Sequence, residues 1–178
     1  YVFSGLKYVH ELDLSHNYQL DNIVQGTFYG LVDLYQLDLS FNFLTILSNG
    51  AFTGILGQSC DTITCGIDVS FNSIHTILSG AFESLWDLGH LNLSHNALMT
   101  STIIPDAFNG LSPFCNIDLS GNDNITDLTS LNKWISVCSD DIYMRVGSKT
   151  LQVQDISNED EICKLSIMTD ALQSGLEL

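Results

Sequence analysis

Residues 34–55 read LYQLDLSFNFLTILSNGAFTGI, and this stretch decides how the chain folds. Three leucines spaced L-x-x-L-x-L are followed by an Asn three residues after the last of them, then by an apolar return to a Phe. The alternation predicts a short strand with one buried face. One such unit cannot bury its apolar face alone, so we expect copies of it stacked on both sides.

The copies are present in the sequence. They carry the phrases LDLSHN (12–17), LDLSFN (37–42), IDVSFN (67–72), LNLSHN (91–96) and IDLSGN (117–122). The Asn of each phrase, at positions 17, 42, 72, 96 and 122, follows the one before by 25, 30, 24 and 26 residues. The basic period of about 24 residues lies within the range of about 20–29 for leucine-rich units. Phe3 and Leu6 match Phe28 and Leu31, so the chain is expected to begin inside a repeat, as a fragment.

These five phrases, with GTFYGL, GAFTGI, GAFESL and DAFNGL, resemble the leucine-rich repeat family in its 24-residue "typical" class, which includes Toll-like receptors and Slit. The resemblance covers residues 1–131. It implies an α/β fold class, as a right-handed solenoid with a parallel sheet on the concave face. Residues 132–178 are then expected to form an irregular C-terminal capping region, with a helical spacing after Leu131 and a strand pair at 142–146 and 150–156.

Two ladders are predicted to be structural. The Asn side chains should turn inward and satisfy backbone groups at the strand ends, because a buried turn requires hydrogen-bond partners. The Phe side chains should stack as a spine on the convex side. The Asn ladder is Asn17, Asn42, Asn72, Asn96 and Asn122, and the Phe spine is Phe3, Phe28, Phe52, Phe82 and Phe108.

The residues between the leucines should face solvent in columns with one residue per repeat. We define the centre column as Asp13, Asp38, Asp68, Asn92 and Asp118, and the ring column as His16, Phe41, Phe71 and His95, ending at Gly121. Exposed aromatics are common anchors of protein interfaces. The ring column, with Tyr35 near Phe41 and His90 near His95, is therefore the predicted binding surface together with Asp38, Asp68 and Asn92. Two alternatives stay open. One is that Asp is simply the usual residue at this position of the repeat, and the other is that the rings only shield strand edges.

The charge is uneven along the chain. Residues 1–131 hold 13 acidic residues and one basic residue, Lys7, and so supply −12 of the net charge of −16. Nucleic acid is an improbable partner because its phosphates would be repelled. The acidic surface suits a protein ligand with a basic surface, or serves only solubility.

The cysteines and sequons suggest covalent modifications. Cys60 and Cys65 bracket the insertion that stretches one repeat to 30 residues, and Cys138 and Cys163 flank the C-terminal region; either pair can form a disulfide, with Cys115 left over. The sequons Asn124-Ile-Thr and Asn92-Leu-Ser are candidate glycosylation sites. A disulfide and the family context both favour an extracellular or cell-surface location.

Several functions are not supported by the sequence. The histidines lack metal-ligand spacing, no Gly-rich phosphate loop occurs, and no Ser-His-Asp set can be argued, so neither a metal, a cofactor nor an enzyme is predicted. No apolar run is long enough to span a membrane. The leading hypothesis is a protein-binding recognition module of a secreted or cell-surface receptor. The alternatives are a structural or adhesive scaffold and a receptor fragment for carbohydrate or microbial patterns. Oligomeric state and ligand identity are not predicted.

Overall fold

A computed structural model describes residues 2–55, 65–83, 85–104, 106–111, 115–125 and 144–145. Its main element is a six-stranded parallel sheet in the order β1-β2-β4-β6-β7-β8. The strands are β1 (Glu11–Asp13), β2 (Gln36–Asp38), β4 (Gly66–Asp68), β6 (His90–Asn92), β7 (Asn116–Asp118) and β8 (Met144–Arg145). A second sheet pairs β3 (Ile46–Leu47) with β5 (Thr76–Ile77), and a 3-10 helix covers Thr100–Thr102.

The register of the sheet follows the repeat phrases. Leu12 pairs with Leu37, Leu37 with Ile67, Ile67 with Leu91, and Leu91 with Ile117. Each phrase therefore lies beside the same phrase of the next repeat, and the stacked solenoid predicted from the sequence is confirmed. In the described residues the return segments are turns, short strands and the 3-10 helix.

The interior is continuous through the repeats. Leu37, Ile67, Leu91 and Ile117 are at most 3% exposed, and all belong to one apolar cluster. Burial of an aliphatic side chain of this size contributes about 1.5–3 kcal/mol. The first repeat is less covered, since Leu12 and Leu14 are only partly buried against the same cluster.

The Phe spine runs through this interior as a stack of parallel rings. Phe28, Phe52, Phe82 and Phe108 are fully buried, and Phe3 packs against the cluster from one end. Neighbouring ring centroids are 5.8–6.3 Å apart with planes 4–9° from parallel. Each repeat therefore contributes one ring to a continuous stack inside the core.

The Asn side chains close the turn after each strand. The amide of Asn72 donates to the carbonyls of Leu39, Val69 and Ser70 at 3.0–3.1 Å, and its Oδ1 accepts from the N–H of Leu44 at 2.9 Å. One side chain thus links two consecutive repeats. Asn96 and Asn122 repeat the pattern, accepting from Ile74 and Leu98.

The pattern breaks at the first repeat. Two residues separate Asn17 from Leu20, whereas one separates Asn42 from Leu44, and the N–H of Leu20 turns back to the carbonyl of Asn17. As a result Asn42 Oδ1 is buried and accepts no hydrogen bond from the described residues. The extra residue in the 25-residue step between these two Asn residues therefore leaves one buried amide oxygen without a donor among the described residues.

The C-terminal expectations are met only in part by the described residues. Met144 and Arg145 form the predicted strand, but it pairs in parallel with β7, with Ile117 opposite Met144. The predicted partner strand at 150–156, the helical spacing after Leu131 and the rest of the capping region lie outside the described residues. The boundary at residue 131 therefore stays a prediction.

Candidate functional site on the parallel sheet

The ring column forms a continuous stack on the solvent side of the sheet. Centroid distances are 4.5 Å for His16–Phe41, 4.4 Å for Phe41–Phe71 and 4.3 Å for Phe71–His95, and the planes lie 5–12° from parallel. Phe41 and Phe71 are nevertheless 41% and 44% exposed. Four rings from four repeats therefore act as one surface feature, with covered inner faces and open edges.

The backbone holds these rings in a left-handed conformation. The φ angles of His16, Phe41, Phe71 and His95 are 51–56°, and Gly121 at the same position of the fifth repeat has a φ of 70°. The N–H of each ring residue donates to the Ser carbonyl of the following repeat, as Phe41 does to Ser70 at 3.1 Å. A non-glycine residue in this region costs about 1–2 kcal/mol. The turn requires the backbone angle but not an aromatic side chain, because Gly121 adopts it too.

The centre column is built into the turns that follow the strands. Oδ1 of Asp38 accepts the N–H of Ser40 at 2.8 Å, and Asp13, Asp68 and Asp118 make the same bond to the Ser two residues later. Asn92 replaces the carboxylate and accepts from Ser94 at 3.1 Å. These are Asx turns, in which a short polar side chain bonds the backbone two residues on. The D-x-S spacing in the sequence carries this signal, and our sequence interpretation missed it.

Two carboxylates of the centre column differ in their remaining contacts. Asp68 Oδ2 accepts the amide of Asn92 at 2.9 Å, so both of its oxygens are engaged. Hydrogen bonds from Ser15 lower the pKa of Asp13 below its usual value, because they stabilise the charged form. The column is therefore partly structural, and in the part of the chain that the structure describes only one oxygen of the Asp38 carboxylate accepts a hydrogen bond.

Tyr35 and His90 lie at the other end of the strands from the ring column. Tyr35 precedes β2 while Phe41 follows it, and His90 begins β6 while His95 follows it. The placement of Tyr35 near Phe41, and of His90 near His95, is therefore wrong, because a strand separates the members of each pair. Tyr35 instead stacks on His10 with centroids 5.5 Å apart, and its hydroxyl donates to Glu11 Oε1 at 3.3 Å. Desolvation, with the neighbouring Glu11 carboxylate, raises the pKa of the Tyr35 phenol.

Two further aromatic residues extend the ring column and were not predicted. Tyr18 and Phe43 follow the Asn of the first and second repeats and meet edge to face with centroids 6.5 Å apart. Tyr18 also packs edge-on against His16 at 6.4 Å. They are 71% and 51% exposed. Their position directly after the Asn was visible in the sequence, where Ser73 and Ala97 occupy the same place in later repeats.

The described residues contain a small apolar cavity but no cluster of metal-ligating side chains. No group of three or more His, Cys, Asp and Glu side chains in them is arranged to hold a metal ion. A cavity of about 30 Å³ lies between the second and third repeats, lined mainly by apolar residues such as Leu34, Leu37 and Ile67. This volume holds about one water molecule. In the same part of the chain, no helix is long and apolar enough to cross a membrane.

Two of the five cysteines, Cys65 and Cys115, lie within the described residues. Cys65 is disulfide-bonded, whereas Cys115 is a free thiol that is fully buried. Burial raises the pKa of the Cys115 thiol to about 12. Cys60, Cys138 and Cys163 lie outside the described residues, so the pairings stay predictions.

The two sequons differ in accessibility. Asn124 is exposed, and it follows the turn of the fifth repeat. Asn92 is partly buried, with its amide bonded to Asp68, and Ser94 of its sequon is 5% exposed. Asn124 is therefore the better glycosylation candidate.

Comparison with known proteins agrees with this architecture. Lumican from Homo sapiens is 34% identical over 120 residues, which cover 67% of this chain and 32% of that protein, and lumican from Oryctolagus cuniculus is 34% identical over 57% of its length. Tsukushi from Xenopus tropicalis is 37% identical over 121 residues, or 68% of this chain and 31% of that protein. Most of these matches thus span about a third of the relative. The family model described as "Leucine rich repeat" matches residues 2–56 and 66–123. The chain therefore belongs to the leucine-rich repeat family.

Proposed function

We propose that this chain is a protein-binding recognition module that uses the solvent face of its parallel sheet. The observation that carries the proposal is the ring column, because apolar rings exposed by two-fifths and held in strained backbone are not needed by the fold. Gly121 meets the same backbone requirement without a ring.

The ring arrangement favours a protein ligand over a carbohydrate. Sugars pack against open aromatic faces, whereas the inner faces of Phe41 and Phe71 are covered by neighbouring rings. What remains open is a row of ring edges beside carboxylates. Such a mixture of apolar and charged groups is common in the cores and rims of protein interfaces.

We further propose that the module belongs to a secreted or cell-surface protein. The disulfide at Cys65 supports this location, because disulfides persist in oxidising compartments. The exposed sequon at Asn124 is consistent with it. The receptor role expected from the family resemblance also stays a proposal, as does the matrix role that a scaffold would have.

The experiment is a comparative capture of proteins from conditioned medium on the immobilised chain. The test variant is Phe41→Gly with Phe71→Gly, and the control is Trp86→Ser, which removes an aromatic side chain that is 64% exposed in the segment between β5 and β6. The proposal expects at least one protein to be retained by the unmodified chain and by the Trp86 variant but lost by the ring variant. Retention of the same proteins by the unmodified chain, the ring variant and the Trp86 variant would overturn the proposal.

A further inference from the structure

The chemistry of a partner can be read from the two columns side by side. In each of the first four repeats the ring residue follows the centre-column residue by three positions, as Phe41 follows Asp38. Neighbouring strands of a sheet lie about 4.8 Å apart, and neighbouring rings lie 4.3–4.5 Å apart, so both columns run across the sheet with nearly the same step. A segment lying between the columns therefore meets polar groups on one side and rings on the other.

The ring column offers edges, not faces. The faces of Phe41 are covered by His16 and Phe71 at 4.5 and 4.4 Å, and those of Phe71 by Phe41 and His95. An aromatic ring carries its negative potential on the face and its positive potential on the edge. A cation consequently gains nothing at these rings, whereas an aliphatic side chain can cover their exposed edges.

The centre column differs from repeat to repeat in the number of carboxylate oxygens that its own chain engages. The N–H of Ser40 is bonded to one oxygen of Asp38, whereas both oxygens of Asp68 are engaged. A bidentate guanidinium contact needs two oxygens of one carboxylate, but an ammonium group is a compact charge that can lie between neighbouring carboxylates. No cationic side chain of the described residues donates to Asp38 or Asp68 in these bonds. The charge of the column therefore suits lysine at least as well as arginine.

We propose that the sheet surface between the two columns binds an extended, lysine-bearing segment of a partner protein that runs across the strands. Its lysine ammonium groups lie on Asp13 and Asp38, and its aliphatic side chains cover the edges of Phe41 and Phe71. Alternate residues of an extended chain point to opposite sides, which directs lysines to one column and apolar residues to the other. This inference rests on the proposed function and adds the partner's chemistry to it.

The test measures the affinity of the full chain for short fluorescent peptides by anisotropy. One peptide alternates Lys with Val, a second alternates Lys with Ser, a third Gln with Val, and a fourth Arg with Val. We expect the Lys–Val peptide to bind at least about tenfold more tightly than the Lys–Ser and Gln–Val peptides, and its affinity to fall as salt rises. The Arg–Val peptide should bind within about tenfold of the Lys–Val peptide, since the fork of arginine finds no second oxygen.

Variants of the chain test whether the ring column contacts the Val side chains and whether the centre column contacts the Lys side chains. The double variant Phe41→Gly with Phe71→Gly should lower the affinity for the Lys–Val peptide to about the affinity for the Lys–Ser peptide. Its affinity for the Lys–Ser peptide should not change. Asp38→Asn should lower the affinity for the Lys–Val peptide toward that for the Gln–Val peptide. The substitution keeps the turn, because Asn92 already accepts the equivalent N–H in its own repeat. Trp86→Ser is the control for both and should change no affinity.

Three outcomes would overturn the inference. The first is no binding of the Lys–Val peptide at millimolar concentration. The second is equal loss of Lys–Ser and Lys–Val binding in the ring variant, which would mean that cations contact the rings. The third is an unchanged affinity in the Asp38 variant. Failure here is distinct from failure of the proposed function, because captured proteins can still depend on the ring column through another chemistry.

Discussion

The rings of Phe41 and Phe71 lie 4.4 Å apart and 5° from parallel, although each side chain is more than two-fifths exposed. The buried rings of Phe52 and Phe82 in the same two repeats lie 5.8 Å apart. The tighter stack is thus at the surface, where packing density does not demand it. The two stacks should therefore differ in how much each contributes to the free energy of unfolding.

Phe71→Gly should change the free energy of unfolding by no more than about 2 kcal/mol. Loss of its two stacking contacts, to Phe41 and His95, costs about 0.5–1.5 kcal/mol each, while relief of the left-handed backbone returns about 1–2 kcal/mol and the greater freedom of the unfolded glycine offsets part of that gain. Phe82→Ala should cost about 3–5 kcal/mol because it empties the core. Urea denaturation measures both. A loss above about 2 kcal/mol for Phe71→Gly would show that the ring column serves stability.

Asn72→Leu should destabilise the chain by about 1–3 kcal/mol. The N–H of Leu44 would lose its partner, and the carbonyls of Leu39, Val69 and Ser70 would each lose one of their two donors. Asn17→Leu is the matched control, because Asn17 is exposed and bonds only its own repeat, at Leu14 and Ser15. Thermal unfolding should show a clear drop for the first variant and a smaller one for the second; equal drops would contradict the linking role of Asn72.

Gly110→Ala should cost at least about 2 kcal/mol. The φ of Gly110 is 96°, and a Cβ there would lie 2.6 Å from the carbonyl oxygen of Phe82. Gly66→Ala is the control: it lies in β4, and its Cβ would approach nothing closer than 3.8 Å. We expect that control to stay within about 0.5 kcal/mol of the unmodified chain. Chemical denaturation of the pair checks whether the return segment needs glycine.

The thiol of Cys115 should react slowly in the native state. With a pKa of about 12, its thiolate fraction at pH 8 is about a thousandfold below that of a thiol at the ordinary value of 9.0. Timed alkylation followed by mass spectrometry of the Cys115 peptide measures this, with the urea-unfolded chain as the reference. Modification of Cys115 at the same rate in both states would contradict its burial.

The same shift sets a dependence of stability on pH. Between about pH 9 and 12 the unfolded thiol has lost its proton while the folded one retains it, so the folded state binds more protons and the stability falls as pH rises. The contribution is complete below pH 9. Cys115→Ala should have a flatter stability profile across this window than the unmodified chain, and identical slopes would argue against the shift.

Glycosylation should occur at Asn124 and not at Asn92 when the chain is expressed through a secretory pathway. Asn124 is exposed, whereas the amide of Asn92 is bonded to Asp68 and Ser94 is buried. Asn124→Gln should remove the mass lost on glycosidase treatment, and Asn92→Gln should not affect it. The reverse pattern would place a sugar on the sheet face and remove that face as the binding surface.

The repeat phrases alone were enough to predict strands β1, β2, β4, β6 and β7, their side-by-side stacking and the interior, whereas β3 and β5 of the return segments were not predicted. The reason is that L-x-x-L-x-L alternates buried and exposed positions, and a recurring period allows only one stacking in which all the leucines share a core. Leu37 pairing with Ile67 follows from this pattern. The ring column as a set of exposed positions follows from it as well.

The tertiary structure decided which surface groups are available to a partner. Oδ1 of Asp38 is taken by Ser40, the faces of Phe41 are covered, and Tyr35 lies beyond the opposite end of β2. A sequence lists which residues occur at each position, but coverage of a ring depends on the distance between repeats and on a left-handed backbone angle. Both are set by the packing of one repeat against the next, which no single repeat encodes.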